Sequence, residues 1–311
     1  MTQMPRKFLP YPSTNRSVMD DQIFGLSLKS NGEAGYPKSV VISDGQKAMR
    51  GILCLICGLL LWLGLQASPA TAMTEDDYWR GDRLTREAVQ AAKQGDLFTA
   101  EKIWSELIKE FPGNPALWSN RGNTRASMSN FDEALEDLNE AVRLAPDEVD
   151  PYFNRGAILE QKQQFQAAID DYNKAIELDP DEAIAYHNRG NAYGSLGNWE
   201  QAVKDYEKAT ELDPRFAWAA ESYALALYQN GDVDKGIQRM KSVVRKYPLF
   251  ADARVALTAM LWGNKQFGEA ESNWVSANGL DKRYKDLNWI RNIRRYPPKV
   301  ANSLDSFLHL N

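Results

Sequence analysis

The sequence predicts an all-α chain, a solenoid of stacked helix-turn-helix units, on three observations. Residues of one kind recur every 34 positions in several columns at once: Pro112, Pro146, Pro180, Pro214 and Pro248, then Ala100, Ala134, Ala168, Ala202, Gly236 and Ala270. Gly122, Gly156 and Gly190 keep the same register, as do the large residues Trp104, Leu138, Tyr172, Tyr206, Met240 and Trp274. A fixed period of this size marks a stacked repeat architecture. Within each unit, two runs with apolar residues at helical spacing flank a polar break such as Met128-Ser129-Asn130, the pattern of a helical hairpin. Finally, the 311 residues are 43% hydrophobic and 25% charged, with only two cysteines (Cys54, Cys57) and two histidines (His187, His309). That scarcity excludes a disulfide scaffold and a Cys/His zinc site, and neither histidine lies near a nucleophile motif.

Taken in chain order, residues 1–48 are rich in Ser, Pro, Asn and Gly with no apolar period, and read as a disordered or non-native extension, with Met49 an alternative start. Lys47 and Arg50 then precede an apolar run from Gly51 to Leu65, and Ala70-Thr71-Ala72 follows. Positive start, apolar middle and small-x-small end are the parts of a secretory signal, so 49–72 reads as a signal peptide or a short membrane anchor. The run gives roughly 22 Å of helix, short of the ~30 Å hydrocarbon core. Cleavage would leave Met73 at the mature N-terminus. Cys54 and Cys57 have Cys-x-x-Cys spacing but lie inside this run, with no strand–helix context for redox chemistry.

The repeating body spans 73–284 in about six units, 81–114, 115–148, 149–182, 183–216, 217–250 and 251–284. The glycine and alanine columns fall where the two helices of a unit face each other, since a small side chain lets backbones approach. The large column fills the space left, and proline ends the second helix because it lacks an N–H and its ring clashes. Beyond the units, Lys285–Arg295 and Lys299–Leu310 read as two capping helices split by Pro297-Pro298. Val300, Leu304, Phe307 and Leu308 form the apolar face of the second.

These columns resemble the tetratricopeptide repeat family. Its 34-residue motif, numbered within the unit, has a large residue at four, a small one at eight, Ala at twenty, an aromatic at twenty-four, Ala at twenty-seven and Pro at thirty-two. The third and fourth units read Tyr152, Gly156, Ala168, Tyr172, Ala175, Pro180 and Tyr186, Gly190, Ala202, Tyr206, Ala209, Pro214. The resemblance implies a right-handed superhelix whose first helices line a concave groove for an extended peptide or a partner's helix. It implies a non-catalytic scaffold, and by analogy with exported members an assembly factor for a membrane protein complex in periplasm or thylakoid lumen. Tethering through 51–65 stays open. Members that clamp the C-termini of cytosolic chaperones carry lysine at position five, where this chain has Ser119, Phe153 and His187.

A different subset presents asparagine at position six of successive units, and here Asn120, Asn154 and Asn188 recur at that period, with Asn123 and Asn191 one turn further on. An amide offers an acceptor and two donors, so this ladder can pair with a peptide backbone whatever its side chains. Phe153, His187, Trp218 and Tyr228 are the expected apolar and aromatic groove contacts. Position seven, usually apolar, is Arg121, Arg155 and Arg189, and Asp137, Asp171 and Asp205 stand sixteen residues on. A charge at a packed position needs a partner, so each Arg is expected to pair with an Asp and hold the hairpin angle.

Charge sets the partner class. Residues 1–72 carry seven basic and four acidic side chains, which leaves 30 basic against 38 acidic in 73–311. An acidic body is unsuited to nucleic acid. A protein or peptide client remains, among them subunits of a membrane complex, with no cofactor and no metal site. The rival reading is an accessory or processing subunit with its chemistry in the C-terminal tail, where Asp286, Asp305 and His309 lie.

Overall fold

The computed structural model describes residues 75–310, which are helical throughout apart from their turns. The expected extension at 1–48 and the signal or anchor at 49–72 lie outside the described residues. Six hairpins follow in order: α1 (Glu75–Lys93) with α2 (Leu97–Glu110), α3 (Pro115–Ser127) with α4 (Phe131–Leu144), and α5 (Val149–Gln161) with α6 (Phe165–Leu178). Then come α7 (Ala183–Ser195) with α8 (Trp199–Leu212), α9 (Ala217–Asn230) with α10 (Val233–Lys246), and α11 (Ala251–Gly263) with α12 (Phe267–Leu280). A single 3-10 turn (Lys282–Lys285), α13 (Leu287–Asn292) and α14 (Pro298–Leu310) complete the chain. Each second helix packs on its own first helix and on the first helix of the next unit, which makes a solenoid. Consecutive first helices also meet each other, as α3 with α5 and α5 with α7, so the first helices lie on the inside of the curve.

The small columns are where the hairpins close. Ala134, Ala168 and Ala202 are fully buried, and so are Ala141, Ala175 and Ala209. A Cβ added at Gly156 would lie 2.8 Å from the Tyr172 ring, and one at Gly190 2.8 Å from Tyr206, so the aromatic ring of each second helix fills the gap the glycine leaves. Pro146, Pro180 and Pro214 follow the second helices in the turns between units. Two of these turns tie back to the next unit: Trp118 Nε1 donates to the carbonyl of Pro112 at 2.8 Å and Tyr152 Oη to that of Pro146 at 3.1 Å.

The intra-unit turn adds a column that residue identity conceals. Gly95, Ser129, Gln163, Gly197, Gly231 and Lys265 all take the left-handed conformation, with φ between 59° and 108°. They stand 34 residues apart and end each first helix. The next residue's N–H then reaches back to a carbonyl five residues earlier, as Asn130 to Arg125 at 2.9 Å and Gln164 to Leu159 at 2.8 Å. This closes the free carbonyls of the helix end. Glycine costs nothing in this region, but a side chain there is strained.

The C-terminal segment departs from the expected helix pair. Instead of a helix over 285–295, a 3-10 turn and the six-residue α13 are separated by Asp286, which caps α13 by accepting from Asn288 and Trp289. Helix α14 packs on α11 and α9, the first helices of the last two units. Val300, Leu304 and Phe307 are fully buried there, with the Phe307 ring against Trp262 and Trp274. The cap thus folds inward over the first helices instead of continuing the stack.

Candidate functional site on the inner face

The inner face is the candidate site because the first helices present polar side chains there in register. On α3, Ser119 Oγ and Asn123 Oδ1 are buried without a hydrogen-bond partner, while Asn120 beside them is half-buried. A buried acceptor left unpaired is costly and marks a place where a donor is missing. Asn154 on α5 is 8% exposed. On α7 the amide oxygens are already taken. Asn188 Oδ1 lies 3.3 Å from His187 Nδ1, and Asn191 Oδ1 accepts from Tyr206 Oη at 2.8 Å. The five expected groove asparagines therefore divide: Asn188 and Asn191 spend their oxygens within the fold, whereas the side chains of Asn120, Asn123 and Asn154 do not.

Of the expected aromatic contacts, Phe153 and Tyr228 are buried, while Trp218 and His187 stay half-buried. Phe153 packs into the core with Ala168, Tyr172 and Ala185, because its register turns it between units rather than into the groove. Tyr228 is 1% exposed, covered by the cap through Lys299 Nζ 4.5 Å from its ring centroid. Trp218 is half-buried against Phe250, with the Arg294 guanidinium 4.6 Å over its ring. His187 is half-buried between Phe216 and Tyr206, with ring centroids at 4.9 and 5.6 Å. Burial there pushes its pKa down to about 4, so it is neutral near pH 7.

The arginine column is structural in its geometry. Arg121, Arg155 and Arg189 each grip the aspartate of their own unit through two bonds, Nε and Nη2, at 2.6–2.9 Å to Asp137, Asp171 and Asp205. The third nitrogen crosses to the preceding unit, to Ser105 at 3.2 Å, Asn139 at 2.9 Å and Asn173 at 2.7 Å. Each guanidinium also lies over an aromatic, Trp118, Tyr152 or Tyr186, at 5.1–5.7 Å. One side chain thus fixes the hairpin angle and the unit-to-unit step together.

Sequence reading missed three inner-face carboxylates, Glu160 on α5, Glu221 on α9 and Asp252 on α11. No repeat register links them, and they declare themselves only through what covers them. Arg294 Nε donates to Asp252 at 2.6 Å, with Nη2 3.9 Å from Glu221, and Arg295 Nη1 lies 3.3 Å from Glu160. Burial, then the Asp252 charge, pushes the Glu221 pKa well up, and burial raises Asp252 against the pull of Arg294. Burial likewise pushes Glu160 up to about 7, opposed by Arg295. The tail residues considered for catalysis take structural places: Asp286 caps α13, and Asp305 accepts from Arg291 at 2.7 Å beside His309 on the exposed side of α14. No cluster of metal-ligating side chains occurs among the described residues, and none of their helices is long and apolar enough to cross a membrane.

Comparison with known proteins agrees with this geometry. Family models described as tetratricopeptide repeats match residues 183–216 and 224–277, and one described as TPR repeat matches 122–163 and 158–197. Tetratricopeptide repeat protein 36 of Caenorhabditis briggsae is 37% identical over 68 residues, 22% of this chain and 38% of that protein. Hsp70-Hsp90 organizing protein 2 of Arabidopsis thaliana is 35% identical over 66 residues, 21% of this chain and 12% of that protein. The matches thus span well under half the length of either relative. Among solved structures, a tetratricopeptide repeat protein from Parabacteroides merdae superposes with a TM-score of 0.59 at 18% identity, covering 74% of this chain and 92% of the other. MamA from Desulfovibrio magneticus RS-1 gives 0.51 at 18% identity, covering 56% and 96%. At such identities these two neighbours speak for the fold alone. Repeat register, hairpin packing and family models converge: residues 122–216 and 224–277 carry tetratricopeptide repeats, a framework that generally serves protein–protein interaction and scaffolding.

Proposed function

We propose that this protein is a non-catalytic scaffold that holds an extended segment of a client protein on the inner face of α3 and α5. The observation that carries the reading is the polar row on α3 and α5: half-buried Asn120 and, around it, Asn154, Ser119 and Asn123, the last two with an oxygen that finds no partner within the fold. A peptide backbone supplies N–H donors at regular spacing, and asparagine amides return both kinds of bond. This chemistry is blind to side-chain identity, which suits a holder of unfolded or unassembled segments. The apolar run at 51–65 ahead of the body supports placing the protein in an exported compartment, periplasm or thylakoid lumen, with membrane-complex subunits as clients.

The magnitudes define the test. At ~1 kcal/mol per hydrogen bond, three asparagines contribute roughly 3 kcal/mol, about a hundredfold in affinity, while micromolar binding needs about 8. The client's apolar contacts must supply the rest. A client captured from the protein's own membrane fraction should bind the Asn120→Ala/Asn123→Ala/Asn154→Ala variant about a hundredfold more weakly by calorimetry, with the variant still folded by circular dichroism. Unaltered affinity in a folded variant would refute the ladder.

A further inference from the structure

The C-terminal half of the inner face is already occupied, and its occupant has a distinct chemistry. Between α13 and α14 the chain leaves helical structure over Arg294–Pro297 and runs across the first helices. Arg294 pairs with Asp252 and stacks over Trp218, Arg295 reaches Glu160 on a helix 135 positions earlier in the chain, and Tyr296 Oη donates to the Asp252 carbonyl at 2.9 Å. Three carboxylates from three different units thus converge on two adjacent arginines. The match is one of charge and extended backbone, which is how a groove recognises a peptide.

This resident segment fits imperfectly at two points. Glu221 is 2% exposed, yet its Oε1 has no partner and its Oε2 is 3.9 Å from the nearest guanidinium nitrogen, beyond a hydrogen bond. Arg295 holds φ at 52°, in the left-handed region, a strained conformation for a residue with a Cβ. It is also the residue whose side chain stays 38% exposed, and Ile293 just before it is 54% exposed. A free segment with the same side chains and a relaxed backbone would meet Glu221 as well as Asp252.

We propose that Arg294–Tyr296 is an intramolecular ligand of the acidic inner wall formed by Glu160, Glu221 and Asp252, and that the partner which replaces it is an extended peptide bearing adjacent arginines. Helix α14 stays docked through Val300, Leu304 and Phe307, so only the strap between α13 and α14 swings away. This rests on the reading above and extends it along the same face, from α5 toward α11. Its probe bypasses the asparagines, so the two readings fail separately.

The test uses the full chain and a fluorescein-labelled peptide with the sequence of residues 290–299, alongside a control peptide in which the residues matching Arg294 and Arg295 are glutamine. Arg295→Ala should bind the arginine peptide at least tenfold tighter than wild type, and the control peptide should bind neither protein. Adding Glu160→Gln and Asp252→Asn should abolish the gain. Hydrogen–deuterium exchange on the wild-type protein reads the displacement without any substitution: saturating arginine peptide should speed exchange at 293–297 and leave α14 protected. Equal binding by wild type and Arg295→Ala, equal binding of the two peptides, or unchanged exchange under saturating probe would each overturn the proposal. So would a wild-type dimer with exchanged tails whose strap the peptide cannot move, since the occupant would then be a second copy.

Discussion

Replacing Arg155 by methionine isolates what the arginine column contributes. The side-chain stem is retained in shape, so the change removes charge and three directed bonds: two to Asp171, at 2.6 and 2.8 Å, and one to Asn139 of the preceding unit. Asp171 is left 6% exposed with no countercharge. Removing one partner of a buried pair costs about 3–5 kcal/mol, and the 22% exposure of Arg155 lets some water reach the site, so about 3 kcal/mol is the expectation. Urea unfolding followed by far-ultraviolet circular dichroism measures the loss. Adding Asp171→Leu removes the stranded charge and should recover all but about 1 kcal/mol. A single variant that loses less than ~0.5 kcal/mol, or a double variant no better than the single, would show that the column does not brace the hairpins.

In the left-handed turn column, Gln163→Gly and Lys265→Gly should each raise stability by about 0.5–1 kcal/mol in thermal melts, whereas Gly197→Ala should lower it by about 1–2. Gly156→Ala places a methyl 2.8 Å from the Tyr172 ring and should cost about 1–3 kcal/mol, while Gly268→Ala, with nothing within 4 Å, should be neutral or stabilising. His187 is held neutral by burial with a pKa of about 4, below its unfolded ~6.5, so its contribution is present above pH 6.5 and lost as pH falls through 4. The stability of wild type relative to His187→Phe should therefore fall by up to about 3 kcal/mol across that window; a constant difference would place His187 in contact with water. Comparing the two proteins cancels Glu160, whose pKa of about 7 acts in the opposite sense between pH 4.5 and 7.

What could be read in advance follows from what repetition imposes. A contact made once per unit writes itself into the chain at every period, so the alanine, glycine, aromatic and proline columns are legible, and so is the arginine column with its aspartates. The turn column is made equally often yet is hidden, because a left-handed backbone accepts Ser129, Gln163 and Lys265 at a modest cost beside Gly95, Gly197 and Gly231. Only three of six positions show the glycine that would have revealed it. Phe153 shows a different limit. Its place one residue before Asn154 does not tell which of two adjacent directions is the groove, and a turn of the helix by one residue, about 100°, decides between core and ligand.

The inner wall was illegible for a stronger reason. Glu160, Glu221 and Asp252 occupy three different positions within their units, so no period connects them, and their partners Arg294 and Arg295 lie in the non-repeating tail. A repeat's own contacts are with its neighbours in sequence, and such pairings span little more than one unit. The bond from Arg295 to Glu160 joins residues 135 apart and exists only because the solenoid curves enough to bring α5 and the tail together. Curvature is set by the column contacts on the arginines and glycines, so the part of the structure that repeats determines where the non-repeating part can bind. The inner face is thereby split by one physical rule. Toward α3 it carries amide and hydroxyl groups that find no partner within the fold, and toward α11 it carries carboxylates that meet cations.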